Sequence, residues 1–160
     1  MINNFSMNPL EIIKKHQSVF PVDVLKIAHE FKIKVYTSEG SRTLSGKIVK
    51  DANLGGESGY AIFVNSEDHL FRQRFTIAHE LAHFLLHTDA IGDGIVEDAL
   101  YRSGLSNKQE SEANKLAADI LMPWHLIFDQ MSKGQKTIKD LADVFQVSES
   151  AMAIRLGIPS

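Results

Sequence analysis

The sequence predicts an α+β fold, a small three-stranded antiparallel sheet packed beside helices, and three observations carry that prediction. Residues 32–65 read with a two-residue period in the β-branched and aromatic runs KIKVYTS, LSGKIVK and GYAIFVN, which Gly, Ser and Asn turns separate. The segments on either side repeat their apolar residues at helical spacing instead. The four prolines, Pro9, Pro21, Pro123 and Pro159, stand where helices would begin or end rather than inside them.

Asn8-Pro9 opens a short helix over LEIIKKHQ, and Pro21 opens a second whose Val22, Leu25, Ile27, Ala28 and Phe31 form an apolar face. This pair is expected to serve as a helical lid or base over residues 1–31, followed by the sheet over 32–65. Asn65 or Ser66 is expected to cap the next helix, with Glu67 and Asp68 in its first turn to complement the dipole and the helical pattern running to about His87. DAIGDGIVEDALYRSGL then reads as a turn-rich surface bulge. It carries four acidic residues and no base between Asp89 and Asp98, and it does not fit the EF-hand calcium pattern.

Ser106 with Gln109 three residues later is a capping-box pattern, so a helix should begin near Asn107 and end before Met122-Pro123. The segment TIKDLADVFQVSESAMAIRLGI reads as two short helices joined at Gln146-Val147-Ser148. Residues 1–160 are thus expected to form one domain, with the helices of 66–123 carrying the chemistry and a helical subdomain over 124–160.

Composition narrows the function. A chain of 160 residues, 44% hydrophobic and 23% charged, suits one core-forming domain. A net charge of −3 supplies no global basic field for binding phosphate backbones, so nucleic acid is not an expected partner. The chain has no apolar run long enough to cross a membrane, and its first residues, MINNFSMNPLEIIKK, lack the layout of a secretory leader, so a cytoplasmic protein is expected. With no cysteine, any metal must be held by His, Asp and Glu.

Those residue types converge on one motif. His79-Glu80-Leu81-Ala82-His83 is the HExxH pattern of zinc peptidases. Histidines four apart leave one helix face about 6 Å apart along the axis, within reach of a single tetrahedral ion. Glu80 is rotated from them by roughly 100°, so it can touch a water beside the ion without ligating it. That position suits a general base which deprotonates the water and passes the proton to the leaving amine. The plainer reading, chance polar residues on a solvated face, is disfavoured by Ile77, Ala78, Leu81, Ala82, Phe84, Leu85 and Leu86, which set the histidines beside a core-facing stripe.

A catalytic zinc usually takes three protein ligands and a water. On a continuous helix His87 would stand about 12 Å from His79, too far for both to reach one ion. Phe84-Leu85-Leu86 offers no turn to bring it back, so His87 reads as a C-terminal helix residue that interacts with the dipole. The next helix offers Glu110, Glu112 and Asp119. Glu110 and Asn114 are four apart and share a face, an arrangement in which the first binds metal and the second orients a ligand histidine. Glu112 points about 200° away, so the two cannot both serve, and spacing favours Glu110 without deciding the matter. For stabilising an oxyanion Tyr101, Arg102 and His125 are weak candidates, none singled out by a motif; His125, beside Trp124, reads more readily as an interface residue.

Two rival readings remain. LADVFQVSESAMAIRLGI has the look of a helix-turn-helix, the mark of a DNA-binding regulator. Across residues 135–160, however, Lys136, Lys139 and Arg155 are balanced by Asp140, Asp143 and Glu149, and packing against the rest of the chain is the preferred role. A purely structural zinc would fill four positions with protein ligands, and no fourth is evident.

The residues from Arg72 to His87, RQRFTIAHELAHFLLH, and from Glu110 to Pro123, ESEANKLAADILMP, resemble the ImmA/IrrE family of zinc metallo-endopeptidases. Looser similarity extends to PVDVLKIAHEFKIKVY from Pro21 and to AIFVN ending at Asn65, so most of residues 20–125 are covered. Ala82 stands where the family commonly has glycine, and Leu116 where it has an aromatic. The family's pattern puts its third zinc ligand on the glutamate three before the alanine of the EAN stretch, here Glu110. The resemblance therefore implies one zinc per chain on His79, His83 and Glu110, Glu80 as base, and a gluzincin-like fold. It also implies a protein substrate: many relatives cleave a helix-turn-helix repressor encoded nearby, and others occur in toxin–antitoxin pairs. An edge strand from Gly59 to Asn65 is expected to pair with the extended substrate.

Overall fold

The computed structural model describes residues 7–39, 44–92, 94–98 and 105–158. In chain order they form α1 (Pro9–His16), α2 (Val24–Glu30), β1 (Lys34–Ser38), β2 (Leu44–Lys50), β3 (Tyr60–Asn65), α3 (Leu70–Leu86), α4 (Thr88–Ile91), β4 (Gly94–Asp98), α5 (Asn107–Leu121), α6 (Trp124–Ser132), α7 (Ile138–Phe145) and α8 (Glu149–Arg155). The class is α+β, as the change of period requires.

The sheet differs from the expectation in two ways. Its order is β1-β3-β2-β4, with β1 parallel to β3 and β2 antiparallel to both β3 and β4. It is therefore mixed rather than antiparallel, because alternation of apolar residues locates strands but carries no information about their direction or order. The fourth strand comes from the segment read as a surface bulge. Pairing of Ile95 with Ile48 and Val96 with Lys47 gives that segment a ladder, a tertiary effect that outweighs its acidic, glycine-containing composition. A correction follows for Gly59–Asn65: β3 lies inside the sheet, with Ile62 paired to Val35 on one side and Ile48 on the other, so it is no edge for a substrate.

The pair α1–α2 forms a base. Val22, Ile27, Ala28 and Phe31 are buried as expected, while Leu25 faces solvent. The Gln17 side chain donates to the carbonyls of Asp119 and Ile120 at 2.8 and 3.1 Å, fastening the end of α1 beneath α5.

Helix α3 packs on β2 and β3. It starts later than the sequence suggests. Asn65 Oδ1 accepts from the Glu67 N–H at 2.9 Å and closes a turn, and the cap is His69, whose Nδ1 accepts from the Phe71 N–H at 3.1 Å. Asn side chains serve turns and caps equally well, which is why the boundary was ambiguous. Gly46 lets β2 close on the helix, since a Cβ there would stand 2.4 Å from Thr76 Cγ2 and 3.0 Å from the Phe63 carbonyl oxygen.

Across α3 lies α5, opened by the expected capping box: the Gln109 N–H donates to Ser106 Oγ at 3.2 Å and the Ser106 N–H to Gln109 Oε1 at 3.0 Å. Small buried residues, Ala78 and Ala82 on α3 with Ala113 and Ala117 on α5, let the two helices approach closely. The C-terminal helices α7 and α8 join at Gln146 in a left-handed conformation, φ 56°. They pack back on the body of the molecule: Arg74 Nε donates to the Gln146 carbonyl at 3.1 Å, and Phe145 meets Phe20 edge-on at 4.9 Å. Burial pulls the Arg74 guanidinium below its usual pKa, and Asp23 partly offsets this. Among the described residues no helix is long and apolar enough to cross a membrane.

Candidate metal centre

The HExxH turn sits in the buried C-terminal half of α3, where Thr76 through His83 are all shielded from solvent. Helical spacing brings His79 Nε2 to 3.1 Å from His83 Nε2. From α5, Glu110 reaches in and straddles the pair, with Oε2 3.3 Å from His79 Nε2 and Oε1 3.3 Å from His83 Nε2. Two imidazoles and a carboxylate thus turn their donor atoms to one point, and among the described residues they form the group suited to a metal ion.

The dimensions can be tested against such an ion. Four ligands at about 2.1 Å in a tetrahedron stand about 3.4 Å from one another, and the 3.1 Å between the two Nε2 atoms and the 3.3 Å from each to one Glu110 oxygen are of that size. The outer nitrogens agree as well. His79 Nδ1 lies 2.9 Å from Asn114 Oδ1, and an amide oxygen only accepts. With the amide oxygen facing it, the tautomer that completes this hydrogen bond carries the proton on His79 Nδ1 and leaves the Nε2 lone pair for a cation. The residues fit a divalent metal held by three protein ligands with one position open.

Glu80 is fully buried beside the trio and, like His79 and Glu110, lines a cleft of about 1070 Å3. Phe71, Phe75, Ala118 and Ile154 supply its apolar lining, and Arg72 and Lys115 add positive charge. Helix α8 and its N-cap Ser148 form one wall, with Ala151 and Ile154 facing the cleft. Sequence reasoning had no means of finding this wall, because it depends on how the C-terminal helices dock.

Of the residues singled out by sequence, His79, Glu80, His83, Glu110 and Asn114 meet at this site. Glu112 lies outside the trio, its Oε2 3.6 Å from His87 Nε2. His87 does not prolong the helix; it caps α3 with φ −129°, is buried, and sets its Nδ1 3.1 Å from His83 Nδ1. Its spacing of four from His83 was the signal that could have revealed the contact. His125 is exposed on α6 and is not part of the cleft lining, and Tyr101 and Arg102 lie outside the described residues.

This architecture has known counterparts. The model of a metallopeptidase family, described as the IrrE N-terminal-like domain, matches residues 28–157. The chain belongs to that family. The radiation response metalloprotease IrrE of Deinococcus deserti is 36% identical over 87 residues, which are 53% of this chain and 30% of that protein. Its counterpart in Deinococcus radiodurans is 34% identical over 90 residues, 55% of this chain and 27% of that protein. The match thus spans less than a third of these relatives' length. A Mycobacterium tuberculosis transcriptional regulator superposes with a TM-score of 0.61 over 94% of this chain and 46% of its own, and at 17% identity it shares the fold.

Proposed function

We propose that this chain is a zinc-dependent endopeptidase that hydrolyses a peptide bond of a protein substrate, with His79, His83 and Glu110 as metal ligands and Glu80 as general base. The observation that carries this reading is the buried cluster in which the His79 and His83 Nε2 atoms stand 3.1 Å apart and each lies 3.3 Å from one oxygen of Glu110, next to a buried carboxylate in an open cleft. Zinc is the metal that such a two-histidine, one-carboxylate set with an open position favours. Held there it would lower the pKa of a coordinated water and polarise the scissile carbonyl.

The chain's own residues do the rest. Glu80 accepts a proton from the attacking water and delivers it to the leaving nitrogen, so the amine departs neutral. Its burial shields the transferred proton from bulk solvent. Phe71, Phe75 and Ile154 contact the peptide and exclude water around it, and Asn114 keeps the His79 ring from turning. A helix-turn-helix repressor or antitoxin acting in the cytoplasm is the proposed substrate. The resemblance at Arg72–His87 and Glu110–Pro123 supports this assignment.

DNA reading by α8 is not favoured. Arg155, its one base, is turned inward, with Nη1 2.7 Å from Asp119 Oδ1 and Nε donating to the Met122 carbonyl at 3.0 Å.

The test measures bound zinc and cleavage of helix-turn-helix repressor or antitoxin proteins from the same genome, in wild type and in Glu80→Gln. One zinc in both with cleavage only by wild type is the expected result. A wild-type protein that takes up no zinc after reconstitution overturns the reading. Zinc uptake with a stable complex and no cleavage would instead favour a toxin held by its antitoxin.

A further inference from the structure

The two histidines of the metal centre are held by different means. His79 leans on Asn114 of α5, whereas His83 turns its outer nitrogen towards the end of its own helix, where His87 Nδ1 stands 3.1 Å away. Backbone geometry brings His87 there. Its N–H still donates to the His83 carbonyl at 2.8 Å, but its φ of −129° ends the helix, and its own carbonyl accepts from the Ala90 and Ile91 N–H groups at 2.9 Å each. The residue is clamped between α3 and α4, and its ring lies buried beneath the last turn.

Tautomers then follow in sequence. A His83 that offers its Nε2 lone pair to a metal carries its proton on Nδ1, and that N–H donates to His87 Nδ1. His87 must therefore hold its own proton on Nε2. The nearest charged group to that nitrogen is the Glu112 carboxylate, at 3.6 Å on the rim of α5. The His83–His87 link runs donor to acceptor, and beyond it the Glu112 carboxylate lies 3.6 Å from His87 Nε2, outside hydrogen-bond distance but close enough for its negative charge to favour a proton there.

We propose that His87 is a positioning residue of the metal centre, holding His83 in the rotamer and tautomer that turn Nε2 inward, and that the nearby Glu112 carboxylate favours the His87 tautomer this requires through its charge. The proposal rests on the reading of His79, His83 and Glu110 as metal ligands. It gives α5 three tasks within five residues: Glu110 joins the trio, Glu112 favours the His87 tautomer, and Asn114 holds His79. It also assigns a role to a histidine that is too far along the helix to be a ligand.

The test uses His87→Phe, which fills the space without an acceptor, His87→Asn, whose Oδ1 falls near the position of Nδ1, and Glu112→Gln on the partly exposed rim. Zinc affinity is read by competition with a chelator, the visible spectrum of the cobalt-substituted protein reports ligand geometry, and melting of the metal-free protein checks folding. His87→Phe should bind zinc about 10- to 100-fold more weakly with an altered cobalt spectrum, His87→Asn should recover most of that loss, and Glu112→Gln should fall between them and wild type. Wild-type affinity and spectrum in His87→Phe, or equal losses in the Phe and Asn variants, would overturn the proposal while leaving the ligand trio intact. If His87→Phe does not fold, unchanged affinity in Glu112→Gln together with a weakened His87→Asn has the same force. Absence of zinc from wild type removes the ligand trio itself, and this proposal with it.

Discussion

Asn114 Oδ1 stands 2.9 Å from His79 Nδ1 and joins the helix that bears the HExxH turn to the helix that bears Glu110. Asn114 is an exposed residue, so replacing it leaves no buried void. Asn114→Leu is expected to keep the fold and to weaken zinc binding by about 10- to 100-fold, because the His79 ring can then swing and change tautomer. Asn114→Asp retains an acceptor and should stay close to wild type. Chelator competition distinguishes the two, and equal affinity in Asn114→Leu and wild type would remove the amide from the centre's support.

Ile154 is 72% exposed, unusual for a large aliphatic residue, and it lines the cleft wall provided by α8. Ile154→Glu places a charge on that wall without touching the core. The expected outcome is about a tenfold fall in kcat/KM for a protein substrate, the scale set by losing one apolar contact in the transition state. Zinc content and melting temperature should not change. Unaltered kcat/KM would mean that the substrate passes along the α3–α5 floor without meeting α8.

Arg155 fastens that wall. Besides its bonds to Asp119 and the Met122 carbonyl, its guanidinium lies 4.7 Å from the centre of the Trp124 ring, so one side chain joins α8 to α5 and α6. Arg155→Met keeps much of the packing but loses the fork of donors. We expect a stability loss of about 1–3 kcal/mol in urea melts, the usual range when a part-buried charged hydrogen bond is broken. Faster amide exchange should appear in α8 first. Arg155→Lys should recover only part of the loss, since an ammonium cannot serve the carboxylate and the carbonyl in the same geometry.

These residues show what a sequence discloses and what it withholds. His79, Glu80 and His83 were legible because helical spacing alone makes them neighbours, and Glu110 with Asn114 because the same spacing gives them a shared face. The Ser106–Gln109 capping box is equally local and appears where expected. The direction of β1, the pairing of β4 with β2 and the inner place of β3 were not legible, since each is decided by partners distant in the chain. His87 reads as a residue at the helix C-terminus, where the structure also places it, but its contact with the His83 ring was not legible because it depends on the backbone conformation at the helix end. Its backbone leaves the helix there, and its ring turns back to His83. The two short helices expected at the C-terminus are present as α7 and α8, and the one base of α8 is bound within the molecule.

Glu30 gives the fold a dependence on pH remote from the metal centre. Its carboxylate accepts from Lys15 and meets the His16 ring, tying α2 to α1. The hydrogen bond from Lys15, and next that from His16, hold the Glu30 carboxyl below its ordinary pKa. Folding therefore favours the ionised form. The resulting stability is fully present above the unfolded carboxyl's value of about 4.3 and is lost as pH falls through the lower folded value. Because the groups are solvent-accessible, the contribution is expected to be about 0.2–1 kcal/mol. Glu30→Gln should unfold at slightly lower urea than wild type at pH 7, and the gap should shrink below about pH 4.3 and close once the wild-type carboxyl is protonated. A gap that stays constant from neutral to acid pH would show that the side chain acts through its shape rather than its charge.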